Sequence, residues 1–180
     1  MLKSAITGLS KFSNGIAIAA NIAGTLVVLA LVVVVNFDIF ARNILNAPFL
    51  GAVEVVQFSI VLIVFLQLPD VVRVDRLTRS DGFLFLMEGR FPRVARVMHH
   101  AINLLSAAFM ALIAVAIYPQ FVEMWGTQDF FGVPGVFTAP WWPIKLAIFL
   151  SAGLCALLFL LKLVVPKRAP RNTRLPEPPQ

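Results

Sequence analysis

The chain has 180 residues, of which 59% are hydrophobic and 13% are charged. Soluble domains carry about 25% charged residues, so this chain has too little polar surface for a soluble fold of its length. The net charge of +6 does not indicate nucleic acid, because the basic residues border apolar segments instead of lining one soluble face. The composition therefore predicts an all-α membrane protein, with membrane lipid and no nucleic acid among its partners.

Four apolar segments are long enough to cross a bilayer, whose core of about 30 Å requires about 20 residues of helix. They cover about residues 16–36, 49–68, 101–118 and 141–161. Pro69 is expected to close the second span, and Pro119 to kink or end the third. We predict one membrane domain of four transmembrane helices, residues 1–165, followed by a disordered, basic, proline-rich cytoplasmic tail, residues 166–180.

The Lys and Arg residues indicate how these spans are oriented. Thirteen of the fifteen lie before the first span, between the second and third spans, or after the fourth span. Since such residues accumulate on the cytoplasmic side, we expect both termini in the cytoplasm. A first span of this length does not fit a cleaved signal peptide, so we expect it to remain in the membrane.

Arg42 and Lys145 fall on the expected outer side, against this rule. Arg42 has two candidate partners: Asp38, four residues earlier on a continuing helix, and Glu54, across the turn. Either pair is expected to hold the first helical hairpin together. Glu54 opens the second span, with Gln57 on the same face. It fits either a charge favoured by the helix dipole or a polar contact with another membrane subunit.

Aromatic residues mark the expected outer boundary around the connection between the third and fourth spans. Trp125, Trp141 and Trp142 flank it, as does Tyr118, and such side chains favour the membrane interface. We predict that the three Trp residues are interfacial anchors together with Lys145, which has Glu123 and Asp129 as candidate partners. The sequence GVPGVFTAPWWP predicts a structured loop and not a strand.

The connection between the second and third spans contains an amphipathic pattern with basic residues off its apolar stripe. The apolar members, at helical spacing, are Phe91, Val94, Ala95 and Met98. Arg90, Arg93 and Arg96 fall outside that stripe and suit an inner membrane surface. The pattern fits an interfacial helix between the second and third transmembrane helices. It fits equally well an extension of the third span into the cytoplasm.

Few residues are of types that could catalyse a reaction or bind a cofactor or metal. His99 and His100 are adjacent, so they point about 100° apart on a helix and cannot both ligate one haem iron. Cys155 has no partner for a disulfide or metal site and fits a buried, inert thiol. We therefore expect no catalysis, no cofactor and no metal. A four-helix redox protein of cytochrome type, and a self-contained small channel or exporter, remain the alternative classes.

The connection between the first two spans carries a motif that is more specific than its hydropathy. The stretch NFDIFARNILNAPFLGAVEVVQFSIVLIVFLQLP resembles the small membrane subunit, of the DctQ type, of tripartite ATP-independent periplasmic (TRAP) transporters. The residues that fall on the family pattern are Asp38, Arg42, Asn46, Pro48, Gly51 and Glu54. Leu68 and Pro69 also match, as does the GVPGVFTAPWWP segment. One departure is the stretch RVDRLTRSD, in which there is no His where many members carry one; Asp81 is the candidate for the family's Asp.

The resemblance covers roughly residues 15–165 and implies a role. It implies a non-catalytic scaffold subunit, in the bacterial inner membrane, of a sodium-driven transporter that imports an organic acid. Its partners would be a large membrane subunit that moves as an elevator and a periplasmic binding protein that it helps to dock. The hairpin residues would contribute to structure or to these subunit contacts.

Overall fold

A computed structural model describes residues 2–46, 51–74, 92–133 and 137–164. These ranges contain four long helices, α1 (Leu2–Ile44), α2 (Ala52–Val74), α3 (Pro92–Thr127) and α4 (Trp142–Val164). Each helix is long and apolar enough to span a membrane, so the predicted fold of four transmembrane helices is confirmed. Two short strands, β1 (Phe130–Val133) and β2 (Phe137–Pro140), form an antiparallel hairpin between α3 and α4.

The helices pack mainly as a row, with α2 and α4 inside and α1 and α3 outside. α1 runs antiparallel to α2, as the hydrogen bond between Asn21 and Asp70 shows. α3 runs antiparallel to α4, with Trp125 edge-on to Trp142. The ends of α2 and α4 lie together, so these two helices are parallel. We call the end where α1 and α3 begin the termini end, and the opposite end the turn end.

The buried core lies toward the termini end, where all four helices contribute to one cluster. Its members are Ala17, Val72, Ala107, Cys155, Leu158 and Phe159. Half of these are Ala or Cys, because small side chains let membrane helices approach closely and gain contact area without a hydrophobic driving force from lipid. Phe159 fills the space that the small residues leave and is 2% exposed. Cys155 is a buried free thiol, as expected.

Gly24 lies where α1 packs tightly against α2. A Cβ atom added at this glycine would lie 2.9 Å from Cγ of Gln67 and 3.2 Å from Cβ of Leu66. By contrast, a Cβ at Gly15 of the same helix would meet no atom within 4 Å. The absence of a side chain at Gly24 therefore sets the distance between the two helices.

The outer helices are much longer than the inner ones. α1 has 43 residues and α3 has 36, whereas α2 and α4 have 23 each. From the pairing of the helices, α1 and α3 extend past the inner helices at the termini end by about 15–22 Å, at 1.5 Å per residue. The two inner helices match the bilayer core, and the outer pair reaches beyond it.

The prediction that proline ends the second span is wrong, and neither Pro69 nor Pro119 terminates its helix. Proline removes one backbone hydrogen bond, but neighbouring helices compensate for this loss inside membrane proteins. Pro69 is fully buried against other helices, and α2 continues beyond it for more than one turn. The last turn of α2 consequently places Asp70 and Arg73 on a continuous helix.

The prediction of a loop without strands between α3 and α4 is also wrong. β1 pairs with β2 from Phe130 opposite Pro140 to Val133 opposite Phe137. Gly132 has φ 113°, which suits glycine, and the amide of Trp141 donates to the carbonyl of Asp129 at 3.1 Å. Gly132 and Pro140 of this segment therefore lie in the paired strands of a short hairpin, whereas residues 134–136 lie outside the described part of the chain.

Part of the basic connection belongs to α3. Residues 92–98 form the first turns of that helix, as in the alternative that extends the third span. Ala95 is 1% exposed, whereas Val94 is 48% exposed, so the expected apolar stripe is only partly covered. The remaining part of the connection, residues 75–91, lies outside the described residues, and so do Asp81, Phe91 and the predicted tail.

Candidate functional site

The connection from α1 to α2 carries three of the six family-pattern residues, Asn46, Pro48 and Gly51. Asn46 has φ 50° just beyond the end of α1, a left-handed conformation in which Asn commonly stops a helix. Gly51 has φ 106°, which strongly favours glycine, and its carbonyl accepts the first hydrogen bond of α2 from Val55 at 3.0 Å. Pro48 lies outside the described residues. Asn46 and Gly51 therefore match the pattern because each sets the backbone at a helix end.

Arg42 pairs with Asp38 and not with Glu54. Its Nη2 lies 3.0 Å from Oδ2 of Asp38, and the two side chains are 60% and 13% exposed. Both residues belong to α1, so the ion pair does not hold the hairpin together, contrary to the prediction. An exposed pair at this spacing stabilises a helix by only about 0.3–0.5 kcal/mol. Most of the Arg42 guanidinium surface is left available for contact.

A groove of about 390 Å³ separates α1 from α2 at the turn end. Its lining residues are Val35, Asp38, Arg42, Ala52, Val53, Val56 and Gln57. Asp38 and Arg42 of α1 and Gln57 of α2 therefore line the same groove, whose other lining residues are apolar. Glu54 does not line this groove; it lies half-buried in the first turn of α2, where the helix dipole favours a carboxylate.

The predicted aromatic anchors form two contacts at the turn end of α3 and α4. Trp125 meets Trp142 at a centroid distance of 5.0 Å, and Phe131 of β1 meets Trp141 at 4.9 Å. Both contacts are edge-to-face, a geometry that aromatic pairs favour. The β-hairpin is thereby attached to α4, and Phe130 beside it is 65% exposed.

Lys145 has a different partner from those predicted. Its Nζ donates to Oε1 of Gln120 at 2.7 Å, which links the first turn of α4 to α3. Gln120 takes the place of Glu123 and Asp129, the partners expected from the sequence. Lys145 lies three residues after Trp142, whose ring contacts Trp125, and its place at the membrane interface stays a prediction.

The sequence interpretation missed a polar cluster at the termini end. Asp70 accepts hydrogen bonds from Asn21 of α1 at 3.0 Å and from Nε of Arg73 at 2.7 Å. Lys162 of α4 donates to the backbone carbonyl of Val72, which lies in the last described turn of α2. We call these four side chains the termini-end cluster. An Asn within an apolar run and an Asp–x–x–Arg spacing after Pro69 were the signals that could have revealed it.

The remaining candidates lie on α3. Arg93 is exposed in its first turn, whereas Arg90 and the side chain of Arg96 lie outside the described part of the chain. Within that part, no group of three or more His, Cys, Asp and Glu residues is arranged to hold a metal ion, and His99 and His100 belong to no such group.

These features define a class: a polytopic helical membrane protein whose polar groups lie at helix ends and whose apolar faces are broad and exposed. Comparison with family models identifies it further. The chain matches the family described as tripartite ATP-independent periplasmic transporters, DctQ component, over residues 31–168. Because the match covers more than half of the chain, the protein belongs to that family. It is the small membrane component of such a transporter and a multi-pass protein of the inner membrane.

Members of this family function with a large membrane subunit and a periplasmic binding protein. Neither the comparison with curated proteins nor the comparison with solved structures yields a match.

Proposed function

We propose that the chain is a non-catalytic scaffold that supports the large subunit of a sodium-driven transporter for an organic acid. The observation that carries this proposal is the arrangement of the helices in a row. Two inner helices flanked by two outer ones leave apolar side chains exposed along α1 and α3, such as Leu29 at 58% and Leu112 at 65%. Such faces suit lipid or another membrane subunit.

The proposed orientation places both termini and the termini-end cluster in or near the cytoplasm. It rests on the thirteen clustered basic residues, all of which belong to the termini end or to the segments joined to it. The aromatic contacts of Trp125 with Trp142 and of Phe131 with Trp141 would then lie at the periplasmic interface.

In this orientation the turn end faces the periplasm and contributes to docking of the binding protein. The Arg42 side chain is 60% exposed, whereas that of its partner Asp38 is 13% exposed. The β-hairpin, which follows α3, exposes Phe130 and is attached to the start of α4 through the contact of Phe131 with Trp141. Rim charges of this kind mainly alter the rate of association and its dependence on salt.

Sodium coupling and the organic acid come from the resemblance to the family and belong to the large subunit in this proposal. The groove beside Arg42 is lined by one ion pair and mostly by valine and alanine, so it is not suited to a carboxylate substrate. The substrate site is therefore expected in the partner.

Reconstitution tests this proposal. The large subunit and the binding protein are placed in liposomes with or without this chain, and sodium-driven uptake of the substrate is measured. We expect uptake and a stable complex only when the chain is present. Full uptake without it, or solute flux through liposomes that contain this chain alone, would contradict the scaffold role. A haem absorbance band of the purified chain would favour the redox alternative.

A further inference from the structure

Two prolines lie inside long helices of this chain, and their surroundings differ. Pro69 of α2 is fully buried against other helices, whereas Pro119 of α3 is exposed. A proline has no amide hydrogen, so the carbonyl four residues earlier loses its usual donor, and the proline ring also crowds that carbonyl. In α3 this carbonyl belongs to Val115, which is 72% exposed. The acceptor that Pro119 leaves without its donor therefore lies on an outward side of the helix.

The Val115 carbonyl lies deep in the apolar part of α3. The ring of Tyr118 contacts that of Phe149 on α4 at a centroid distance of 5.7 Å, so the two antiparallel helices are level with each other at these residues. Val115, about one turn earlier on α3, is then level with about residue 152, close to the middle of α4. Since α4 matches the bilayer core in length, Val115 lies near the centre of the hydrocarbon region.

The depth of this carbonyl determines which chemistry can satisfy it. An unpaired backbone group is costly in hydrocarbon, and acyl chains have no hydrogen-bond donor. Prolines inside membrane helices are tolerated where a neighbouring helix, a Ser or Thr side chain or an ordered water supplies the missing bond. Among the described residues, no hydrogen bond from a side chain or from another element reaches the Val115 carbonyl. The site therefore favours a donor from another protein over lipid.

The surface beside this carbonyl permits another helix to approach. Ala108 and Ala111 lie two turns and one turn before Val115, on the same side of α3, and both are exposed. Small side chains let membrane helices come close enough for a side chain of one to reach the backbone of the other. The buried side of α3, which includes Ala114, packs mainly against α4. A further helix can therefore pack on α3 without displacing α4.

We propose that a helix of the large membrane subunit packs on this side of α3 and donates a hydrogen bond to the carbonyl of Val115. The donor is a hydroxyl, amide or indole side chain, since these groups carry a hydrogen-bond donor without a charge. The inference rests on the proposed scaffold function and adds which side of α3 meets the large subunit and which atom is bound. Pro119 is the residue responsible, because its missing amide leaves the acceptor free.

Two replacements of Pro119 test whether this carbonyl is bound. Pro119→Ala supplies the missing amide, so the Val115 carbonyl is bonded within α3 and is lost to the partner. Lactic acid, incorporated at position 119 by nonsense suppression, has the side chain of alanine but an ester oxygen in place of the amide, so the carbonyl stays free. Binding of each chain to the large subunit is measured in liposomes by fluorescence energy transfer while added lipid dilutes the two proteins.

We expect Pro119→Ala to weaken binding of the large subunit about three- to fifteenfold, the range for one hydrogen bond between membrane helices. The same variant on its own should resist dodecyl sulfate better than the unaltered chain, because its helix gains a bond. The lactic acid variant should bind the large subunit as the unaltered chain does. Pro69→Ala is the control, since it adds an amide where the chain covers its own proline, and the folded variant should bind normally.

Three results would overturn the inference. The first is equal binding by the folded Pro119→Ala variant and the unaltered chain. The second is an equal loss of binding in the alanine and lactic acid variants, because helix shape and not the bond would then matter. The third is a photo-crosslinking residue at Val115 that captures lipid and no protein, a measurement that leaves Pro119 in place. Capture of the large subunit at Val115 supports the inference.

The scaffold function fails separately from this inference. If the unaltered chain does not bind the large subunit at all, both are wrong. If it binds, but the three results above are found, the scaffold function stands and the large subunit contacts another surface of the chain.

Discussion

The two ends of the row are held together in different ways. At the termini end, side chains connect different helices: Asn21 of α1 bonds to Asp70 of α2, and Lys162 of α4 bonds to the backbone of α2. At the turn end, the ion pair of Arg42 stays within α1. The aromatic and polar contacts described there join α3 to α4 and the hairpin. Among the described residues, polar side chains thus connect α1, α2 and α4 at the termini end, whereas the contacts described at the turn end lie within α1 or between α3, α4 and the hairpin.

This difference separates stability from recognition. The termini end contains the core and the polar bonds that join α1, α2 and α4, so substitutions there should destabilise the fold. The turn end carries exposed charges and aromatic residues, so substitutions there should alter contacts with partners. The predictions below test this division, beginning with the largest expected effect.

Phe159→Ala should cause the largest loss of stability. Phe159 is 2% exposed in the cluster to which all four helices contribute, and its removal leaves a cavity that the small neighbours cannot fill. We expect a loss of about 3–5 kcal/mol. Unfolding by increasing mole fractions of dodecyl sulfate measures it. Leu150→Ala on the same helix, where the side chain is 58% exposed, is the matched control and should cost far less.

Gly24→Ala and Gly15→Ala should have effects of opposite sign. The new methyl group at position 24 would lie 2.9 Å from Cγ of Gln67 and force α1 away from α2, at a cost of about 1–3 kcal/mol. At position 15 it meets no atom within 4 Å and gains helix propensity, worth up to about 1 kcal/mol. The same denaturant titration compares them. Equal effects would mean that the close approach at Gly24 has no energetic consequence.

Asp70→Asn should destabilise the fold by about 1 kcal/mol, the order measured for hydrogen bonds between membrane helices. The substitution removes the negative charge that faces Arg73 at 2.7 Å, while the amide keeps one acceptor for Asn21. Combining Asp70→Ala, which removes the acceptor, with Asn21→Ala in a double-mutant cycle isolates the bond between α1 and α2. Strictly additive costs would show that this bond contributes nothing to the contact between these helices.

Arg42→Ala should change stability least, by less than about 0.5 kcal/mol, because its ion pair is exposed and lies within one helix. Sodium-driven uptake should nevertheless fall, through weaker docking of the binding protein, and the dependence on sodium concentration should stay the same. Glu54→Ala should likewise lower sodium-driven uptake, through weaker assembly or docking. An altered sodium dependence in a normally assembled complex would contradict the scaffold function.

Much of the architecture could be predicted from the sequence, because length and apolarity suffice to identify helices that span a bilayer. The positions of Asn46 and Gly51 could also be interpreted, since a helix end needs a residue that tolerates positive φ. Interior prolines were misjudged for a physical reason. The rule that proline ends a helix holds in water, and packing against other helices outweighed it at Pro69.

Partners across helices could not be predicted. The choice of Asp38 over Glu54 for Arg42 and of Gln120 for Lys145 depends on helix rotation and length, which hydropathy does not determine. The termini-end cluster was missed for the same reason, since Asn21 and Asp70 are 49 residues apart. The hairpin strands are only four residues each and contain or adjoin Gly and Pro, so their pattern resembled a loop.

The bond from Lys162 to the carbonyl of Val72 also sets an order of events during biosynthesis. The two residues are 90 positions apart, so α2 leaves the ribosome well before the side chain that completes its end. At about 5–20 residues per second, that interval lasts about 5–18 s. During this time the Val72 carbonyl is without its bond to Lys162, and the end of α2 is without its contact with α4. Arrival of α4 is therefore the event that closes the chain into its final packing.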